Sequence, residues 1–250
     1  MTQPRLPPVG FVDRPSAGGY HGLLSAPWDV PRAGGGYTVT VADAPPTGDA
    51  LPLPLTDLAD RGDDGSELGW LRLASDHGVP VAPIVVVPAR VESDFYRWNH
   101  LAPRWTQLLS AVDPRDPDED DLDELLPRAA AWVMEHALLQ GVVDAFYDAL
   151  GGLPARLTVR RPATEGLVAP RGRPALLGLK RTWAAEWELA TVLDRVAAGV
   201  GWLPPARPVL VHGADLRPEP QLSAAASTAL GRTVRAWADD EGRAARLVPA

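Results

Sequence analysis

The chain has 250 residues, no cysteine and a formal net charge of −8. Without a thiol there is no disulfide scaffold, no thiolate nucleophile and no cysteine-held zinc or iron–sulfur centre. An acidic protein-wide field repels phosphate, so general affinity for nucleic acid or anionic lipid is not expected, while 46% hydrophobic residues supply one good core or at most two small ones and argue against disorder throughout.

Residues 1–36 carry six prolines and seven glycines with almost no periodicity. They read as an extended arm, with Phe11 and Trp28 as anchors, ahead of a single domain over residues 37–250. Met1 to Tyr20 lacks a basic-then-apolar pattern, so no secretory signal is expected. The longest apolar run, Gly78 to Ala89, holds three prolines and falls short of the ~20 residues that span a bilayer. A cytoplasmic protein with no membrane association is the expectation.

From Tyr37, valines 39 and 41 alternate with Thr38 and Thr40, the period of a half-buried strand. A proline-rich link through Pro45, Pro46, Pro52 and Pro54 leads to a second predicted strand, Trp70 to Leu73. A third, Val81 to Val87, is apolar on both faces and so central in a sheet. Ser93 is a cap for a helix carrying Phe95, Tyr96, Trp98 and His100, and Trp105 to Val112 reads as another helix. Pro127 suits the first turn of a long helix running to Leu150, where Gly151 and Gly152 stop it; its apolar stripe includes Trp132, Leu139, Val142, Phe146 and Leu150.

The spacing then predicts a hairpin of Arg156 to Arg160 with Ala175 to Lys180. A helix from Thr182 to Val200 follows, then a buried strand from Pro208 to His212 and a last helix from about Leu222 to Trp237. Grouped strands with helices between them predict an α+β fold, a mainly antiparallel sheet packed against three or four helices.

Charge is segregated along the chain. Between Arg156 and Arg181 there are seven basic residues and one acid, Glu165, a net of +6, which leaves −14 for the remainder. Between Asp113 and Glu124 there are eight acids and one arginine. Arg156, Arg160, Arg161, Arg171 and Arg173 are therefore candidate ligands for an acidic partner, with nucleic acid the less favoured one. The competing reading pairs them with the protein's own acidic segment or leaves them solvated. The chain has one lysine, Lys180, against 23 arginines, the usage of GC-rich coding sequence, so the choice of arginine itself carries little weight.

Tyr96, Arg97, Trp98, His100, Arg104 and Trp105 interleave aromatic and cationic side chains, the composition of an interaction hot spot. Phe95 and Trp98 are expected to be buried, and Tyr96, Asn99 and His100 accessible. The run from Val209 to Glu219 is a strand ending in His212, Gly213 and Asp215, where a general base could sit. It resembles the catalytic loop of aminoglycoside phosphotransferase-like kinases, which implies a base at Asp215. Ala214 is an extra residue, Pro220 stands where that family has an asparagine, and no acidic metal motif follows. His136 and Asp144 are candidate metal ligands if one helix carries both. Phosphate loops, HExxH and GxSxG elbows are absent, and no cofactor is expected. The sequence therefore favours a non-catalytic binding or assembly subunit with a protein partner or a second copy. A hydrolase or phosphotransferase built on His212 and Asp215 is the alternative, and a nucleic-acid module on residues 156–181 is the third.

Overall fold

In the computed structural model the described residues are 51–57 and 65–250. The arm and the strand expected at Tyr37 to Val41 lie outside them. The central element is a five-stranded antiparallel sheet. Its strands are β1 (Leu53–Pro54), β2 (Val85–Val87), β3 (Arg156–Arg160), β4 (Leu167–Pro170) and β5 (Val209–Gly213), in the order β1-β2-β5-β3-β4.

Both faces of this sheet are covered, which is why β2 reads as unbroken valine. Val85, Val87, Leu157, Val159, Val209 and Val211 face a helical layer. It consists of α2 (Ala89–Trp98), α3 (Leu101–Leu108), α4 (Glu119–Glu135), α5 (Gln140–Ala149), α6 (Arg173–Ala184) and α7 (Leu189–Ala197). Val86 and Leu210 face a second core. That core is closed by α1 (Glu67–Asp76), α8 (Pro220–Leu230) and a small sheet of β6 (Arg217–Pro218), β7 (Val234–Ala238) and β8 (Ala244–Pro249). The α+β class and the antiparallel sheet agree with the sequence reading.

Several boundaries differ from it, each for a local reason. Trp70 to Leu73 lies in a helix: the Ser66 hydroxyl accepts from the Gly69 amide, and Trp70, Leu71 and Ala74 share its buried side. The long central helix is two helices. The Asp118 carboxylate caps α4 through the amides of Asp120 and Asp121, and the acids of the first turn suit the helix dipole, so α4 starts early and holds Pro127 in its interior. It ends at Glu135, and α5 begins after a break.

The strand that pairs with β3 is β4, not residues 175–180. Gly172 adopts φ +96°, ending the strand, and a proline in the first turn starts α6 through that stretch. The expected Thr182–Val200 helix is divided between the end of α6 and α7 by a 3-10 turn at Ala185–Trp187. The last helix stops at Gly231, a left-handed C-cap. Val234–Ala238 then runs back as a strand whose residues alternate between buried and more exposed.

Candidate functional site

Arg160 and its neighbour Arg161 leave the end of β3 in opposite directions, as successive strand residues must. Each enters a different ionic network. On the side of the small sheet, all five N–H donors of Arg160 are used: two reach the Glu67 carboxylate, at 2.6 and 2.7 Å, and the others the His212 ring and the carbonyls of Arg161 and Ala245. Glu67 also accepts from the backbone amides of Ala163 and Leu247. Arg160 and Glu67 are both 1% exposed in their side chains, so this pair ties α1, β3 and β8 together in the interior.

On the helical side Arg161 makes a two-pronged contact with Glu92, at 2.7 and 2.8 Å, and an ion pair with Glu186. Glu186 also pairs with Arg207 and Arg195. Glu92 takes the Arg207 amide and the Tyr96 hydroxyl. Burial, and then the charge of Glu92, push the Tyr96 phenol well above its ordinary pKa, which keeps it a neutral donor. Arg160 and Arg161 are thus answered by glutamates from distant parts of the chain, and not by residues 113–124.

The remaining basic residues are mixed. Arg156 makes an exposed pair with Asp215. Arg171 donates to the carbonyls of Gly151 and Leu153. The Lys180 ammonium caps the end of α4 through the carbonyls of Met134 and His136, and burial lowers its pKa. Arg173 and Arg181 are exposed. The basic hairpin is therefore a strand pair plus a helix, and Arg160 and Arg161 offer no free surface to an anion.

His212 and Asp215 do not converge. The His212 ring is buried; Nε2 accepts from Arg160, and Nδ1 donates to the Gly213 carbonyl. Burial, reinforced by the Arg160 charge, drives its pKa down to about 4. Asp215 stands in solvent with Arg156. The expected metal pair also separates. His136 is the C-cap of α4, with Arg104 donating to its Nε2 and its Nδ1 bonded to the Trp132 carbonyl, while Asp144 lies on α5 and accepts from Gln140. Among the described residues no group of three or more histidine, aspartate or glutamate side chains is placed to hold a metal ion.

The aromatic cluster divides by depth: Phe95 is buried and His100 exposed as expected, but Tyr96 and Trp98 have exchanged places. Tyr96 and Trp105 are buried, Trp105 packing against Trp187 with ring centroids 4.6 Å apart and the planes tilted at 44°, and donating to the Ala129 carbonyl. Trp98 is instead 52% exposed. The Arg97 guanidinium lies over its ring at 5.5 Å and is itself held by Asp94. Arg104 stacks on Trp132. His100 is exposed, at φ +51°, an uncommon conformation for a residue with a side chain. Asn99 donates to the Ala137 carbonyl, which holds the end of α2 against the link before α5, where Leu139 is also exposed. Trp98, the partly exposed Arg97 and His100 so form one accessible corner at the end of α2, beside the link that carries Leu139.

A cleft of about 770 Å³ lies between α4, the 161–167 turn and the corner from α6 to α7. Leu126, Met134, Leu167 and Trp187 line it together with Arg161, Glu186 and Arg207. Sequence reasoning did not single out Glu67, Glu92, Glu186, Arg195 or Arg207, all of them in the buried networks. The available signal was an acid within an otherwise apolar helical pattern, as at Glu92 between Val91 and Phe95.

No helix among the described residues is long and apolar enough to cross a membrane. No known protein family matches the chain, and no curated protein sequence matches it at a significant level.

Proposed function

We propose that this is a non-catalytic binding or assembly subunit that engages a protein partner through the Trp98 corner. The observation that carries the reading is an indole half in solvent with an arginine stacked on it and a backbone outlier two residues away. A large flat side chain with a preset cationic neighbour loses little conformational entropy on binding, which is why tryptophan and arginine dominate interface hot spots. Asp94 orders Arg97 before any partner arrives. Strained non-glycine backbone such as that of His100 persists where function needs a defined shape.

The alternatives have less support. The enzyme reading needs an accessible base, whereas His212 is buried with both ring nitrogens occupied. The nucleic-acid reading needs a row of free cations, whereas Arg160 and Arg161 belong to internal ion pairs. The test is purification from the native host at low ionic strength, with the wild-type protein and Trp98→Ala compared by mass. A complex heavier than one chain is expected for the wild type and not for the variant, with both variants equally stable. A wild-type protein that purifies as a bare monomer, or a complex that survives Trp98→Ala, would overturn the reading.

A further inference from the structure

We propose that the outer edge of β4, together with the adjoining face of α6, is a strand-addition site for an extended apolar and acidic segment of another protein. It is separate from the Trp98 corner and does not depend on it.

The backbone provides the first argument. β4 is last in its sheet, and among the described residues no strand pairs with its outer side. The Arg171 amide donates to the Ala155 carbonyl at 2.8 Å. Antiparallel pairs alternate, so residues 171, 169 and 167 turn their backbone groups toward β3, and Val168 turns its N–H and C=O outward. An exposed amide and carbonyl on one edge residue are satisfied by an extended peptide backbone. A phosphate or a nucleobase does not reproduce that pattern. Pro170 also points outward but has no N–H, so the added strand gains only a short ladder and side chains must supply the rest.

The side chains are arranged for that. Of the seven exposed large apolar residues among those described, Leu167 and Val168 lie on β4 and Leu177 on α6, which packs against it. Leu167 and Val168 point to opposite faces of the strand, with Val168 58% exposed. The cleft opens beside Gly166, Leu167 and Arg181, giving one apolar side chain of an added strand a place to go.

Charge selects the partner. Once the internally paired members of the basic segment are removed, Arg173 and Arg181 remain, one helical turn on either side of Leu177. Neither makes an ion pair among the described residues, and Arg171 bonds only carbonyl groups. Glu165, the one acid of the segment, is answered by Arg246. An incoming strand with carboxylates flanking apolar residues matches this surface, and a basic one does not.

The probe is a short fluorescein-labelled peptide of alternating valine and glutamate, followed by fluorescence anisotropy against the full chain. Its valine–lysine counterpart is the control. Saturable binding of the acidic peptide is expected, weakened about tenfold or more by Arg173→Glu with Arg181→Glu, and similarly by raised salt. Val168→Pro, which removes the outward N–H, is expected to abolish it, and Trp98→Ala to leave it unchanged. Circular dichroism checks the fold; where Val168→Pro does not fold, the exposed charge-reversed variant decides alone. No binding by the wild type, equal binding of the lysine peptide, or undiminished binding by the charge-reversed variant would each overturn the proposal. So would a wild-type dimer in sedimentation that the charge reversal dissociates, since that assigns the edge to a second copy.

Discussion

The substitution Glu67→Gln tests the internal use of the basic segment. It keeps the shape of the side chain but removes the charge that two Arg160 donors share, and turns one acceptor into an N–H donor. Glu67 receives four hydrogen bonds, from Arg160 twice and from the amides of Ala163 and Leu247. It does so with almost no solvent contact. Breaking a buried ion pair on one side costs about 3–5 kcal/mol, because the surviving charge stays desolvated. That is a large part of the ~5–15 kcal/mol that stabilises a typical domain. Equilibrium urea denaturation at neutral pH reads it directly, with a fall in midpoint temperature of the order of 10 °C in a parallel thermal scan.

A pair that contributed only Coulomb attraction would be replaceable by two apolar residues at little cost. Glu67→Leu with Arg160→Met is expected to stay destabilised here. It strands the Ala163 and Leu247 amides, the His212 nitrogen and the Ala245 carbonyl, each worth about 1–3 kcal/mol when left without a partner. A Glu67→Gln protein within about 0.5 kcal/mol of the wild type would refute the reasoning, since that is how an exposed pair behaves.

Three further outcomes follow from the same geometry. Trp105→Ala is expected to lose about 3–5 kcal/mol of stability, as a fully buried indole packed against another does, whereas Trp98→Ala stays near the wild type; comparable losses at the two positions in urea titrations would contradict the assignment of depth. Because the His212 pKa is held down to about 4 in the fold and is ordinarily 6.5, the unfolded chain binds more protons between those values. Its contribution, at most about 3 kcal/mol, is complete above pH 6.5 and is lost as pH falls toward 4; His212→Gln should flatten that part of the stability–pH curve, and an unchanged slope would show that the ring is not held neutral. Arg156→Ala removes a pair that is mostly in solvent, so its effect on the denaturation midpoint should be within experimental error.

The fold class was legible because sheet burial leaves a strong local mark. Val81 to Val87 and Pro208 to His212 are runs of branched apolar residues, and both proved to contain central strands. Trp70 to Leu73 misled because a short apolar run has no resolvable period, and the deciding signal, the Ser66 cap, lies outside it. The α4–α5 break and the β4 strand depended on local terminators: Asp118 starting a helix early, and Gly172 ending a strand.

The candidate site was less legible. The pattern located the charge of residues 156–181 but not its partners, because Glu67 stands 93 residues from Arg160 and Glu92 stands 69 from Arg161. Pairings at that distance are set by which strand lies beside which, and no local window contains that information. The same limit misplaced Tyr96 and Trp98, though not Phe95 or His100. Tyr96 and Trp98 differ in depth because of what packs on α2, namely Trp105 and Trp183 against the Tyr96 ring.

The claim on which the functional account rests is that the Trp98 corner is covered by a partner. Hydrogen exchange followed by mass spectrometry, on the complex from the native host and on the isolated chain, measures this most directly. Slower exchange in the complex is predicted for peptides covering Arg97 to Leu101 and the link before α5, with Trp98→Ala abolishing the difference. Exchange at that corner indistinguishable between complex and isolated chain would contradict the account.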